Sequence, residues 1–73
     1  MAVLTNEDVA AKVRGVAAEQ LQSQSSLAPV IGASAMAMSR RFKGVTPFTP
    51  EELIKLAAHL HTTVGAFFGE RES

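Results

Sequence analysis

Arg40, Arg41 and Lys43 stand within four positions of one another, and they are the only charged residues between Glu19 and Glu51. Cations grouped this closely bind anions, and a run of them free of acids suits a polyanion. Arginine adds a planar fork of donors that can bond bidentately to a phosphate or to the N7 and O6 edge of a guanine. The stretch that carries them runs from Gly32 to Gly44 and reads G-A-S-A-M-A-M-S-R-R-F-K-G. Ser34 is a helix-capping residue, and about two turns of helix-compatible sequence follow it. Gly44 can stop the helix with a positive φ that other residues disfavour. Cations at that end also suit the negative end of the helix dipole, which by itself would make them a solvated helix terminus.

The elements that must position these side chains come from a chain of 73 residues, one small domain near the lower limit for a self-supporting core. Apolar residues make up 47%, but many are alanines, and Phe42, Phe48, Phe67 and Phe68 are the only aromatics, so the core has little bulk to draw on. Chains of this size often gain stability by oligomerising. Disulfides are excluded because cysteine is absent, so nothing points to an oxidising compartment. The longest apolar run is too short to span a bilayer, and no signal-peptide pattern precedes the first capped helix. The expectation is a soluble protein of the cytoplasm, with no membrane partner. The net charge is zero, but it is unevenly spread. From Gln20 to Pro50 there are three cations and no acid, whereas the remainder holds four cations against seven acids. Acids are missing where a polyanion would approach.

In chain order, Thr5 with Glu7 and Asp8 reads as a capped helix start. Val9, Val13, Val16, Ala17, Gln20 and Leu21 follow at helical spacing, which predicts a first helix over 6–22 with that stripe in the core. Gly15 lowers helix propensity by roughly 1 kcal/mol against alanine and is read as a close helix contact. Ser23 to Ser26 is a polar break, and Leu27, Val30 and Ile31 give a second short helix over 26–31. Pro29 is comfortable only in its first turn, with Ser25 or Ser26 as cap, so this helix is either very short or kinked near its start. The third helix is expected over 35–43, capped by Ser34, with Met38 and Phe42 inward. Thr49-Pro50-Glu51-Glu52 starts a fourth over 50–61, whose stripe is Leu53, Leu56, Ala57 and Leu60. Thr62 or Thr63 opens a fifth over 63–68, and 69–73 is a frayed tail. No strand is expected. A turn feeding a short helix with a basic flank is the shape of a helix-turn-helix reader.

Leu27-Ala28, Gly32, Ser34, Ser39-Arg40, Gly44, Leu53, Leu56-Ala57 and Leu60 together resemble the Cro/repressor type of helix-turn-helix domain. The run S-R-R-F-K-G-V-T-P-F-T-P-E-E-L resembles its actinobacterial and actinophage members, and the resemblance covers about Ser23 to Phe68. It implies a compact, all-α, five-helix lambda-repressor-like fold that inserts its third helix in the major groove of double-stranded DNA. It further implies base contacts from Ala35, Met36 and Arg40, and backbone contacts from Gln24, Ser34, Ser39, Arg41 and Lys43. An arginine can read guanine, a methyl or thioether can pack on a thymine methyl, and phosphate contacts hold register. Apart from Pro29 in the second helix and a missing turn glycine before it, this chain departs from the family at three places in the third helix. Ala35 and Met36 stand where polar residues are usual, and Arg41 stands where an apolar one is, the bulk moving to Phe42.

Other candidate chemistry is thin. His59 and His61 point in different directions on a helix and have no cysteine or nearby acid to complete a ligand set, so no metal is expected. Glu51 and Glu52 are first-turn dipole partners. No nucleophile with its base and no glycine-rich phosphate cradle is present, so the expectation is neither an enzyme nor a protein with a cofactor or small-molecule ligand. Two adjacent aromatics on a short helix cannot both point inward, so one of Phe67 and Phe68 is exposed. With Val64 they form an expected homodimer interface, which would set two reader helices about 34 Å apart on a near-palindromic operator. The function expected is a Cro-like phage or prophage repressor in a bacterial cytoplasm. An excisionase-like recombination directionality factor and an antitoxin are alternatives within DNA binding. A helix-turn-helix fold kept as a protein-interaction module, without DNA binding, is the alternative of another class.

Overall fold

The computed structural model describes residues 5–69, and these form five α-helices with no strand among them. The first, α1, is Asn6–Glu19. Thr5 and Asp8 make a reciprocal capping box: the Thr5 hydroxyl accepts the Asp8 amide at 3.1 Å, and the Asp8 carboxylate accepts the Thr5 amide at 2.9 Å. Val13 and Ala17 of the expected stripe are buried, with Val9 and Val16 half-buried beside them, and Ala10, outside that stripe, is buried as well. The helix ends three residues earlier than expected. Leu21 takes a left-handed φ of 57°, and the amide of Gln22 returns to the Ala17 carbonyl at 2.8 Å. That backbone motif turns Leu21 out of the stripe to 94% exposure, so it is not a core residue. Gly15 is no close contact either, since a Cβ there would meet nothing within 4 Å.

The second helix, α2, is only Gln24–Leu27. Its cap is Ser23, not Ser25 or Ser26: the Ser23 and Ser26 side chains each accept the other's amide at 3.0 Å. Pro29 would leave an α-helix without a hydrogen bond, and the chain answers by tightening into a 3-10 turn over Ala28–Ile31. Gly32, at φ 70°, then reverses the chain, and Ala33 donates back to the Ala28 carbonyl at 3.0 Å. The α-helix is very short, one of the two forms expected, and Pro29 lies in the 3-10 turn after it and not in the first turn of a helix capped by Ser25 or Ser26.

The third helix, α3, is Ala35–Phe42, capped by the Ser34 hydroxyl on the Ala37 amide at 3.1 Å. Lys43 is its C-cap, and Gly44 follows at φ 79°. The amides of Gly44 and Val45 return to the carbonyls of Arg41 and Arg40, at 3.1 and 3.0 Å. The fourth, α4, is Pro50–His59, with a Thr49–Glu52 capping box. It closes on His61 at φ 56°, two residues short of the expected end. The fifth, α5, is Val64–Phe67, capped by Thr63. The tail beyond Gly69 lies outside the described residues.

Every helix feeds one core: Val13 and Ala17 from α1, Leu27 from α2, Met38 and Phe42 from α3, Leu53, Leu56 and Ala57 from α4, and Phe67 from α5. Ala28 and Leu60 complete it. Phe48 covers one edge, its ring 6.5 Å from that of Phe42 in an edge-to-face arrangement. Packing places α3 against both α1 and α2, which leaves its opposite face to solvent. No helix among the described residues is long and apolar enough to cross a membrane.

Candidate nucleic-acid interface

The outward face of α3 follows from its register. Met38 and Phe42 are buried, so residues on the opposite arc face solvent. Met36, Ser39, Arg40 and Lys43 recur at i, i+3, i+4 and i+7, which aligns them in one stripe. Met36 is 67% exposed, Arg40 and Lys43 are exposed, and Ser39 is half-buried at the margin. Ala35 is exposed in the first turn beside Met36. The ion pairs among the described residues are Arg41–Glu52 and Lys55–Glu51, and neither involves Arg40 or Lys43. The stripe thus runs from an apolar N-terminal half to a C-terminal half carrying two cations with solvent around them.

Arg41 stands apart from this stripe. Its Nε donates to Glu52 Oε1 at 2.9 Å, and its Nη1 donates to the Ala37 carbonyl at 3.2 Å. The two side chains are only 18% and 15% exposed. Glu52 Oε1 also accepts the Thr49 amide at 3.0 Å, so one carboxylate both caps α4 and ties down α3. In this arrangement Arg41 is a brace between two helices and not a free phosphate contact. The cause is its position on the side of α3 that turns toward α4, away from Arg40.

Ser34 is exposed, and its hydroxyl is already the cap of α3. Gln24, the first residue of α2, is half-buried. Neither is on the α3 stripe, so the expected backbone contacts arise from three separate elements. The expected dimer residues also divide. Phe67 is wholly buried and has no surface to offer a second chain, whereas Phe68 is 41% exposed and Val64 is half-buried. Phe68 lines a cleft of about 170 Å³ with Thr5, Asn6, Val9, Pro47, Phe48 and Leu53. Pockets for drug-sized ligands run to about 300–1,000 Å³, so this one is small by that measure.

No family model matches the chain, and no curated protein and no solved structure matches it. Its own surface therefore carries the functional information.

Two side chains that tie α1 to the ends of other helices have no signal in the local sequence. Arg14 of α1 donates to the Phe42 carbonyl at the end of α3, and Gln20 donates to the Leu60 carbonyl at the end of α4. Each satisfies a carbonyl that its helix leaves without an internal partner. Their partners lie 28 and 40 residues away, beyond any periodicity reading. Spacing does put Arg41, four residues after Ala37, off the line of Met36 and Arg40, but nothing in the local sequence pairs it with Glu52, eleven residues on.

Proposed function

We propose that this chain is a sequence-specific, double-stranded-DNA-binding transcriptional regulator of the Cro type that inserts α3 in the major groove. The observation that carries this reading is the outward stripe of α3, where Arg40 and Lys43 are exposed with no acid in the chain from Gln20 to Pro50. A stripe of that charge attracts a phosphate backbone, and an arginine fork within it reads a base edge. The finer architecture belongs to the same proposal. The α2 helix with its 3-10 extension, the turn at Gly32 and α3 packed back on α2 form a lambda-repressor-like helix-turn-helix. Binding is as a homodimer on a near-palindromic operator, through the surface around Phe68 and Val64, in a bacterial cytoplasm.

Roles within the stripe follow from position. Arg40 bonds to a guanine, while Lys43 at the C-cap and Ser34 at the N-cap flank it and hold phosphates. Arg40→Ala then costs about 1–3 kcal/mol on the preferred site and relaxes preference at one base pair. Lys43→Ala weakens all sequences alike and flattens the salt slope by about one unit. Equal losses on preferred and random duplexes for both variants would sink the assignment of Arg40 as reader.

A second reading has its own support: Ala35 and Met36 give the stripe an exposed apolar end, and the net charge is zero. A protein-interaction module would use that end for a partner. It requires partner binding unchanged by Arg40→Ala and no salt-dependent affinity for DNA.

A further inference from the structure

The geometry points to Met36 as a reader of pyrimidine C5-methyl groups, so that the preferred site pairs a guanine with a methylated pyrimidine, ordinarily thymine, one to two steps away. The inference rests on the DNA-binding reading of α3 and goes beyond it by specifying what the apolar half of the helix recognises.

The side chain has no competing occupation. Met36 is 67% exposed, and the methionine of the core is Met38, which is wholly buried two residues later. The thioether therefore stands in solvent on the stripe that carries Arg40. It lies in the first turn of α3, the end of a reader helix that comes nearest the base edges. Neither it nor Ala35 offers a strong hydrogen-bonding group, so neither can distinguish bases by donor and acceptor pattern. The major groove presents just one apolar feature, the methyl at C5 of thymine. Cytosine presents the same group only when it is methylated at C5. An unbranched, polarizable side chain with several rotatable bonds can settle on such a methyl from more than one angle.

Spacing sets the site. Met36 and Arg40 are four residues apart, which is about 6 Å along a helix axis. Successive base pairs are about 3.4 Å apart, so the two contacts fall on pairs separated by roughly one or two steps. The stripe holds no carboxylate to accept from a cytosine amino group.

The test uses the full chain and duplex DNA. A random duplex pool is bound, the retained fraction is sequenced, and the recovered duplex is resynthesised with single thymidines replaced by deoxyuridine. The same pool is also made with deoxyuridine throughout. Uracil keeps every hydrogen-bonding group of thymine and lacks only the methyl. The expected result is one thymidine per half-site whose replacement weakens wild-type binding about three- to fivefold, the effect of one methyl group. Met36→Ala binds the thymine and uracil duplexes alike. Its thermal unfolding stays close to wild type because the side chain is exposed. 5-Methylcytosine placed at the same position retains more affinity than cytosine with wild type, and this advantage is lost in Met36→Ala. Equal binding of thymine and uracil duplexes by wild type overturns the inference while leaving DNA binding intact. So does a methyl effect that persists in Met36→Ala. Absence of binding to the pool at low salt removes the DNA-binding reading and the inference with it.

Discussion

Arg41 on α3 donates from Nε to Glu52 Oε1 on α4 at 2.9 Å, and that oxygen also accepts the Thr49 amide that opens α4. The pair fixes how the exposed stripe of α3 sits on the domain, because it joins the last turn of one helix to the first turn of the next. It also divides labour among the three clustered cations. Arg41 is spent on the protein itself, and Arg40 and Lys43 are left facing outward.

Both side chains of the pair are largely screened from water, so removing one leaves the other without its partner. Arg41→Ala and Glu52→Gln should each lower unfolding free energy by about 1–3 kcal/mol in denaturant titrations. The double variant should lose less than the sum of the two. Lys43→Ala, at an exposed position, should change stability by less than about 0.5 kcal/mol. If the brace persists on DNA, Arg41→Ala should also leave the salt slope of binding near wild type. A drop of one unit, matching that expected for Lys43→Ala, would show that Arg41 leaves Glu52 for a phosphate.

Two glycines should respond to alanine in opposite directions. At Gly44 the backbone is left-handed, and an added Cβ would lie 2.6 Å from the Cα and 2.7 Å from the Cγ of Glu7. Nothing flexible can absorb the backbone part of that clash. Gly44→Ala should therefore destabilise by more than about 2 kcal/mol, since the conformation alone accounts for about 1–2. Gly15 is exposed within α1 with open space around it, so Gly15→Ala should stabilise by up to about 1 kcal/mol. Melting curves of the two variants check both signs.

Phe67 and Phe68 differ by one residue and by nearly everything else. Phe67→Ala empties a wholly buried ring site and should cost about 3–5 kcal/mol, enough to unfold a domain of this size at moderate temperature. Phe68→Ala should keep the fold by circular dichroism. In sedimentation it should weaken self-association if the surface around Phe68 is the dimer contact. Self-association unchanged by Phe68→Ala would move that contact elsewhere.

Helix starts were legible wherever the cap was short-range and of familiar chemistry. Thr5, Ser34 and Thr49 each bond to an amide three residues on and each stands before an apolar-periodic run, and Thr63 does the same where the sequence left Thr62 and Thr63 open. Ser23 is the exception: Pro29 points to a cap at Ser25 or Ser26, but the 3-10 turn accommodates Pro29 and leaves Ser23 and Ser26 to form the box. Helix ends were harder. The first and fourth helices close on Leu21 and His61 in left-handed conformations that glycine would ordinarily signal. The exposed stripe of α3 could be drawn from spacing alone once Met38 and Phe42 were placed inward. The brace could not, because Arg41 and Glu52 are set together by the turn between helices and not by any periodicity.

Binding of duplex DNA by the α3 stripe is tested by fluorescence anisotropy of a labelled random duplex pool titrated with the protein at two salt concentrations. The expected result is binding at low salt with a steep salt dependence, and a two-fold motif with guanine in each half-site among the recovered duplexes. Absence of binding at low salt, or an affinity indifferent to salt, would contradict it and give the exposed Ala35–Met36 end of the stripe to a protein partner.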